Sequence, residues 1–276
     1  MRIRVNNNIY SLDKNFQFSG GEVQIRLPEM FIQEGDTVYI NTILNSPRAI
    51  MEMLLTVDAI RNLYIGVDIE LVSHYLPYAR QDRACVNGEA FSLRVMCNII
   101  NSVNFTKVTI SDVHSEVATD LLERVNNIPQ HIIFNSVVRK FCIDMSDYLL
   151  ISPDKGALPK IKKLGILLGI ETLHAYKIRN PDTGEIVSTN IDVDDFEGKN
   201  LFIVDDIADN GGTFFHLAKL LKSKNCGKIS LYITHAIFPN GATHLYEYID
   251  NIYTTNSIYN GDDKRIKVYD IMLAQN

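Results

Sequence analysis

Leu201-Phe-Ile-Val-Asp-Asp-Ile-Ala-Asp-Asn-Gly-Gly-Thr213 is the stretch whose reading decides the fold. Leu201 to Val204 is a short apolar run of the kind that fills a strand buried on both faces; paired acids follow it, and Gly211-Gly212 makes a turn. From Phe214 to Lys224 apolar residues recur at helical spacing, with Gly227 expected as the C-cap. Strand, glycine turn and helix in that order form the unit of an α/β protein, whose ligands bind beyond the carboxyl ends of the strands. Glycines let backbone N–H groups approach an anion, and a helix N-terminus adds oriented dipoles, so a phosphate can be held here without a lysine. Asp205 and Asp206 would repel that phosphate if they faced it, so their expected role is to accept hydrogen bonds from sugar hydroxyls. The alternative is a plain helix cap with solvated acids. Neither G-x-x-x-x-G-K-S/T nor G-x-G-x-x-G occurs in the chain, which excludes the P-loop and the dinucleotide-binding turn.

The same alternation extends outward from this stretch. Ile229–Phe238 reads as a further strand, and upstream Tyr148–Ser152, Glu171–Ile178 and Glu185–Ile191 read as strands, with a helix between Pro159 and Leu168 and a turn at Asn180-Pro-Asp-Thr-Gly184. An earlier series begins with a strand over 36–44, after which Ser46-Pro47 supplies an N-cap and a first-turn proline, and Ile50, Met53, Leu54, Val57 and Ile60 follow at helical spacing. Val67–Tyr75 and Lys107–Ser111 read as strands and Ala90–Val103 as a helix, and the second of those strands ends in Asp112-Val-His114. A polar, irregular stretch over 135–147 separates the two series. The expectation is an α/β chain of two similar domains, each with a mostly parallel central sheet flanked by helices. The N-terminal domain would cover 1–140 and the second 141–262, followed by a tail over 263–276 with packing against the N-terminal domain as one option.

Composition narrows the functional classes. The chain has 276 residues, 46% hydrophobic and 22% charged, enough for two cored domains and far from the signature of disorder. No apolar run approaches a membrane span and the first residues contain no hydrophobic signal core, so the expected setting is cytoplasmic, with no membrane partner. Cys85, Cys97, Cys142 and Cys226 lack any C-x-x-C pairing, which argues against zinc ribbons and redox dithiols and leaves four free, mostly buried thiols. A net charge of −6 argues against nucleic-acid binding. It also means that an anionic ligand must be drawn in by local groups rather than by the overall field.

Further motifs lie where strands end. Tyr75-Leu-Pro-Tyr-Ala-Arg-Gln-Asp-Arg83 offers two guanidinium groups suited to triphosphate oxygens or to stacking on a base, and Gln81 offers an amide suited to an adenine edge, although two surface arginines in four residues are commonplace on their own. This stretch, with Gly88-Glu89 after it, resembles the ATP-binding segment of ribose-phosphate diphosphokinases, the enzymes that make phosphoribosyl diphosphate (PRPP). Residues 201–213 are similar to the PRPP loop which that family shares with type I phosphoribosyltransferases. Phe18-Ser-Gly-Gly-Glu22 resembles the family's adenine-contacting segment, Asp112-Val-His-Ser115 its metal segment, Ser152-Pro-Asp-Lys-Gly156 its Ser-Pro-Asp-x-Gly-Gly, and Thr255-Asn-Ser257 its C-terminal Thr-Asn-Ser. The matches follow the family's order over residues 18–260.

That resemblance implies a phosphoribosyltransferase-like fold and a transferase that moves the β,γ-diphosphoryl group of Mg-ATP to ribose 5-phosphate. It implies ATP contacts from Phe18, Glu22, Arg80, Gln81, Asp82, Arg83 and His114, and Mg²⁺ near His114, Asp154 and Asp112. Ribose 5-phosphate would meet Asp205, Asp206, Asp209, Asn210, Gly211, Gly212 and Thr213, and Lys177 and Arg179 match the Lys-x-Arg of the family's mobile catalytic loop. Two cations there suit a transition state that spreads negative charge over phosphoryl oxygens. A homo-oligomer is implied as well, at least a dimer with a hexamer as one option, because a neighbouring copy completes the family's adenine site. The chain departs from the family pattern at Gly20, where Asp or Asn is usual; at Asn210, usually Thr; at Lys155, usually His or Arg; and at Ala157, usually Gly. Ala84-Cys-Val-Asn-Gly88 also lacks the basic residues common after the arginines. Two alternatives stand beside this reading: a phosphoribosyltransferase that consumes PRPP, and a noncatalytic regulatory subunit derived from the synthetases.

Overall fold

The computed structural model describes residues 1–12, 16–179 and 186–272, the side chains of 177–179 and 186–188 excepted. The turn expected at 180–184 lies outside the described residues. Two units are present, Met1–Ile128 and Pro129–Asn276.

The first unit is built on β1 (Arg2–Val5), β2 (Asn8–Ser11), β5 (Thr37–Asn41), β6 (Asp68–Val72), β7 (Lys107–Ser111) and β8 (Val125–Ile128). They form one sheet in the order β2-β1-β5-β6-β7-β8, parallel from β5 onward and antiparallel at the β1 and β2 edge. Residues 16–17 (β3) and 23–24 (β4) form a separate short hairpin. Helix α1 (Pro47–Leu63) begins as its sequence requires, with Ser46 Oγ accepting the Ala49 amide at 3.1 Å and Pro47 in the first turn. It buries Met53, Val57 and Ile60 against the sheet, α2 (Ser92–Ser102) buries Leu93, Met96, Cys97 and Ile100, and α3 (Val117–Leu121) is short. Burial pushes the Cys97 thiol up to about 11, whereas Cys85 and Cys142 are exposed and Cys226 half-buried, so the thiols are not mostly buried.

The second unit holds α4 (Gln130–Lys140), β9 (Tyr148–Ser152), α5 (Leu158–Leu168), β10 (Thr172–Arg179), β11 (Ile186–Ile191), β12 (Asn200–Ala208), α6 (Gly212–Ser223), β13 (Ile229–Ala236), β14 (Asn251–Thr255) and β15 (Ile266–Tyr269). The seven strands run in the order β11-β10-β9-β12-β13-β14-β15, parallel except for the β10–β11 pair. Every residue of β13 is buried, as a central strand covered on both faces requires.

Four expectations are corrected here. The division falls at 128/129 rather than 140/141, because the polar stretch from 135 hides helix α4, whose Phe134 packs edge-on against Phe202 (5.3 Å) and Tyr232 (5.1 Å) of the second unit. The described part of the expected tail, 263–272, is not separate from the second unit. Its β15 extends the second sheet, and Asn256 ties it down, donating to Asp270 at 2.8 Å and accepting from the Ile271 amide at 2.9 Å. Gly227 is not the C-cap of α6; the left-handed residue there is Asn225 (φ 58°). Gly227 is needed because a Cβ would meet the Gly198 carbonyl at 2.4 Å. Finally, β12 does not end at Val204. It continues through both acids to Ala208, with Asp205 paired to Ile233 and Ile207 to His235.

Candidate active site

The turn after β12 is shaped by the segment after β13. The amides of Ile237 and Phe238 donate to the carbonyls of Ala208 (2.8 Å) and Asp209 (3.1 Å), and Asn240 Nδ2 donates to Asn210 Oδ1 at 3.1 Å. Gly211 is left-handed at φ +79°, and a Cβ there would meet Leu245 at 3.1 Å and Phe238 at 3.4 Å, so glycine is required by backbone and by packing. Asp209, Asn210, Gly212 and Thr213 are exposed. No side chain caps α6; the Phe214 amide donates to the Gly211 carbonyl at 3.0 Å, which leaves the Gly212 and Thr213 amides for solvent or a ligand's oxygens. The structure thus brings together Asp209 to Thr213 as an anion-sized cradle at the end of a buried strand.

The acids before the cradle are differently placed. Asp205 and Asp206 are adjacent on β12 and their carboxyl groups interact, yet their burial differs. Asp206 is 6% exposed and its Oδ2 lies 3.2 Å from Lys160 Nζ of α5. The Asp205 carboxyl is held well above the usual carboxylate range, first by loss of hydration and then by the neighbouring charges of Asp206 and Asp154. Asp154 Oδ1 accepts from the amides of Gly156 (2.9 Å) and Ala157 (3.1 Å), and Ser152 Oγ donates to the Asp154 carbonyl at 2.8 Å, which fixes that carboxylate at the turn between β9 and α5. Lys160 and Asn240 are the two residues missed in the sequence. A lysine on an amphipathic helix reads as solvated, and an asparagine in a Pro-Asn-Gly turn reads as turn chemistry; only the fold shows what each faces.

Thr255-Asn-Ser257 proves structural. Ser257 Oγ donates to the Thr234 carbonyl at 3.1 Å, so the proton in its 2.7 Å contact with His235 comes from Nδ1 of the imidazole, and Thr255 Oγ1 donates to the same carbonyl at 2.7 Å. This buried network ties the ends of β13 and β14 together just before the segment that shapes the cradle.

In the first unit, Leu76, Pro77 and Ala79 are buried and anchor a segment whose Arg80, Gln81 and Arg83 are exposed. The Gln81 carbonyl accepts the Leu93 amide at 3.2 Å, fixing the segment to the start of α2. Arg83 and Asp82 are 3.8 Å apart, a loose contact that leaves the guanidinium to solvent. Glu89 Oε2 accepts the amides of Cys85 (2.7 Å) and Val86 (3.3 Å) and organises the following turn. His114 is exposed, whereas Asp112 is 2% exposed at a left-handed φ of 40°. Among the described residues no three His, Cys, Asp or Glu side chains converge as a ready metal site.

Phe18 and Glu22 flank a tight turn closed by Phe18 N to the Glu22 carbonyl at 2.8 Å, and Phe18 packs edge-on with Phe16 at 5.1 Å while remaining half exposed. A Cβ on Gly20 would meet Glu22 Oε2 at 2.5 Å, so in this chain the Glu22 carboxylate occupies the space beside the residue where the family usually carries a side chain. Lys177 and Arg179 stand on strand β10, opposite Thr189 and Ile186 of β11, rather than in a loop; their side chains lie outside the described residues.

Comparison with known proteins covers both units. Residues 8–103 match the family model described as the N-terminal domain of ribose phosphate pyrophosphokinase, and residues 121–262 match the phosphoribosyl transferase domain. A ribose-phosphate pyrophosphokinase of Thermococcus kodakarensis is 33% identical over 248 residues, which cover 88% of this chain and 84% of the relative. One from Pyrococcus furiosus is 29% identical over 248 residues with the same coverage. The crystal structure of phosphoribosylpyrophosphate synthetase from Mycobacterium smegmatis matches the fold with a TM-score of 0.78 at 21% identity, over 95% of this chain and 86% of that one. No helix among the described residues is long and apolar enough to cross a membrane.

Proposed function

The chain belongs to the ribose-phosphate pyrophosphokinase family, and on that premise we infer that it transfers the β,γ-diphosphoryl group of ATP to the 1-hydroxyl of ribose 5-phosphate, giving PRPP and AMP. The observation that carries this reading over a phosphoribosyltransferase is the match of residues 8–103 to a pyrophosphokinase N-terminal domain. That region holds the anchored segment with exposed Arg80 and Arg83, for which an enzyme that only consumes PRPP has no use.

The cradle Asp209 to Thr213 is assigned to the 5-phosphate, through backbone amides, the Asn210 amide and the Thr213 hydroxyl. Asp205 and Asp206 are assigned to the ribose hydroxyls, with Lys160 pairing with Asp206 and orienting it. Arg80 and Arg83 are assigned to ATP phosphates or base, Gln81 and Asp82 to the same ligand, and His114 to the phosphates. Phe18 and Glu22 are assigned to the adenine bound by a neighbouring copy, which makes the active form an oligomer. Lys177 and Arg179 are assigned to the transferring group, where two cations stabilise the charge that spreads over its oxygens. Among the described residues none stands out as a general base, and the reading needs none fixed: positioning and electrostatics supply most of the acceleration in phosphoryl transfer.

The second unit also fits the Mg²⁺ that such transfers use. Asp205 feels the charges of both Asp154 and Asp206, while Lys160 pairs with Asp206, so the acids carry an excess of anionic oxygen suited to a hard, oxygen-seeking cation. Asp154 is the residue assigned to it, together with substrate phosphates. The chemistry supplied when Mg²⁺ is bound is neutralisation of charge on phosphoryl oxygens.

A coupled assay of AMP release tests the reading. AMP should form only with ATP, ribose 5-phosphate and Mg²⁺ all present; its absence with all three overturns the assignment.

A further inference from the structure

The amide of Asn210 has two ends with opposite chemistry, a carbonyl oxygen that only accepts and an NH₂ that only donates. A phosphate presents acceptors, so an asparagine in its cradle helps when the NH₂ faces the anion and hinders when the oxygen does. Left to itself the side chain samples both. The structure resolves the choice from outside the cradle: Asn240, on the turn after β13, donates its Nδ2 to Asn210 Oδ1 at 3.1 Å. That bond occupies the Asn210 oxygen and leaves its NH₂ for other acceptors. The turn that carries Asn240 is itself fixed, since Phe238 takes a left-handed φ of 42°, the Gly241 amide donates to the Phe238 carbonyl at 2.9 Å, and the Phe238 amide donates to the Asp209 carbonyl at 3.1 Å.

We propose that Asn240 is a positioning residue for the sugar-phosphate site, orienting the amide of Asn210 so that it donates to the 5-phosphate. This rests on the assignment of residues 209–213 to ribose 5-phosphate. Threonine, usual in the family at position 210, carries a hydroxyl that rotates to donate by itself and needs no such partner, so Asn210 and Asn240 act as a linked pair in this chain.

The test is steady-state AMP release by the full chain with both substrates varied. Asn240→Ala should raise the KM for ribose 5-phosphate about three- to tenfold, the worth of one hydrogen bond, with kcat and the KM for ATP unchanged. Asn240→Asp should raise it further, because an acceptor at 240 turns the Asn210 oxygen toward the anion. In an Asn210→Thr background, whatever its own KM, adding Asn240→Ala should change nothing. The proposal is overturned if Asn240→Ala leaves the KM for ribose 5-phosphate unchanged, if it lowers only kcat, or if it has the same effect in the Asn210→Thr background, which would make Asn240 a mere support of the turn. Absence of AMP with the unsubstituted protein would instead overturn the functional reading, and this inference with it.

Discussion

The turn at 209–213, assigned to the 5-phosphate, and the arginine segment at 75–83 both follow parallel strands, yet they are held in opposite ways. The cradle is backbone: a buried strand, a left-handed glycine under Leu245 and Phe238, and three bonds from the segment after β13. The arginine segment is side chain: three buried residues anchor it, and its guanidinium groups stand in solvent, Arg83 in loose contact with Asp82. A small phosphate monoester suits a preformed nest, since backbone donors are paid no rotamer entropy on binding, whereas long arginines can follow an extended triphosphate and its base. On the proposed assignments the same contrast answers the charge problem of a −6 chain: oriented amides would meet one anion and a few exposed cations the other.

The contrast can be broken or sharpened by substitution. Lys177→Ala, outside both regions, should have the largest effect, lowering kcat by about a hundredfold or more with both KM values little changed; a pure rise in KM for ATP would move Lys177 into the ATP-binding set. Next, Gly211→Ala adds a Cβ at a left-handed position and against Leu245, so the KM for ribose 5-phosphate should rise about tenfold or more and Tm fall, while the KM for ATP stays. An equal rise in both KM values would break the division of labour.

Lys160→Met should destabilise the fold by about 1–3 kcal/mol in denaturant unfolding, less than a fully buried pair because the lysine is a third exposed, and Lys160→Arg should restore most of it. Unchanged stability would show that Asp206 does not depend on the pair. Asp205→Asn gives the smallest effect and the opposite sign. A carboxyl whose folded pKa stands above its unfolded value stabilises fully below about pH 4 and loses that contribution as pH rises toward the folded value. Removing the carboxyl should therefore raise Tm by a few degrees at neutral pH, with the margin shrinking toward pH 4. A Tm difference that does not vary with pH would contradict the assigned burial and crowding of this acid.

Much of this was legible in the residues. Ser46-Pro47 starts α1 through local chemistry alone, and the Leu201–Val204 run followed by Gly211-Gly212 announces strand, cradle and helix because each step is dictated within a few residues. What escaped was set by distant partners. Asp205 and Asp206 have little strand propensity, and it is pairing with β13 that draws them into β12. The second half of helix α4 falls in the stretch that reads as polar and irregular, because the contacts that bury its Phe134 come from Phe202 and Tyr232, far along the chain. Lys160 and Asn240 gain their roles from residues 46 and 30 positions away.

On these assignments ATP and ribose 5-phosphate are recognised by separate, differently built parts of the chain. The most direct measurement is AMP release by the double variant Arg80→Ala, Arg83→Ala with each substrate titrated. Because both side chains are exposed, Tm should not move, the KM for ATP should rise about tenfold or more, and the KM for ribose 5-phosphate should stay within about twofold of its original value. A rise in the KM for ribose 5-phosphate as large as that for ATP, or no change in either, would contradict the claim.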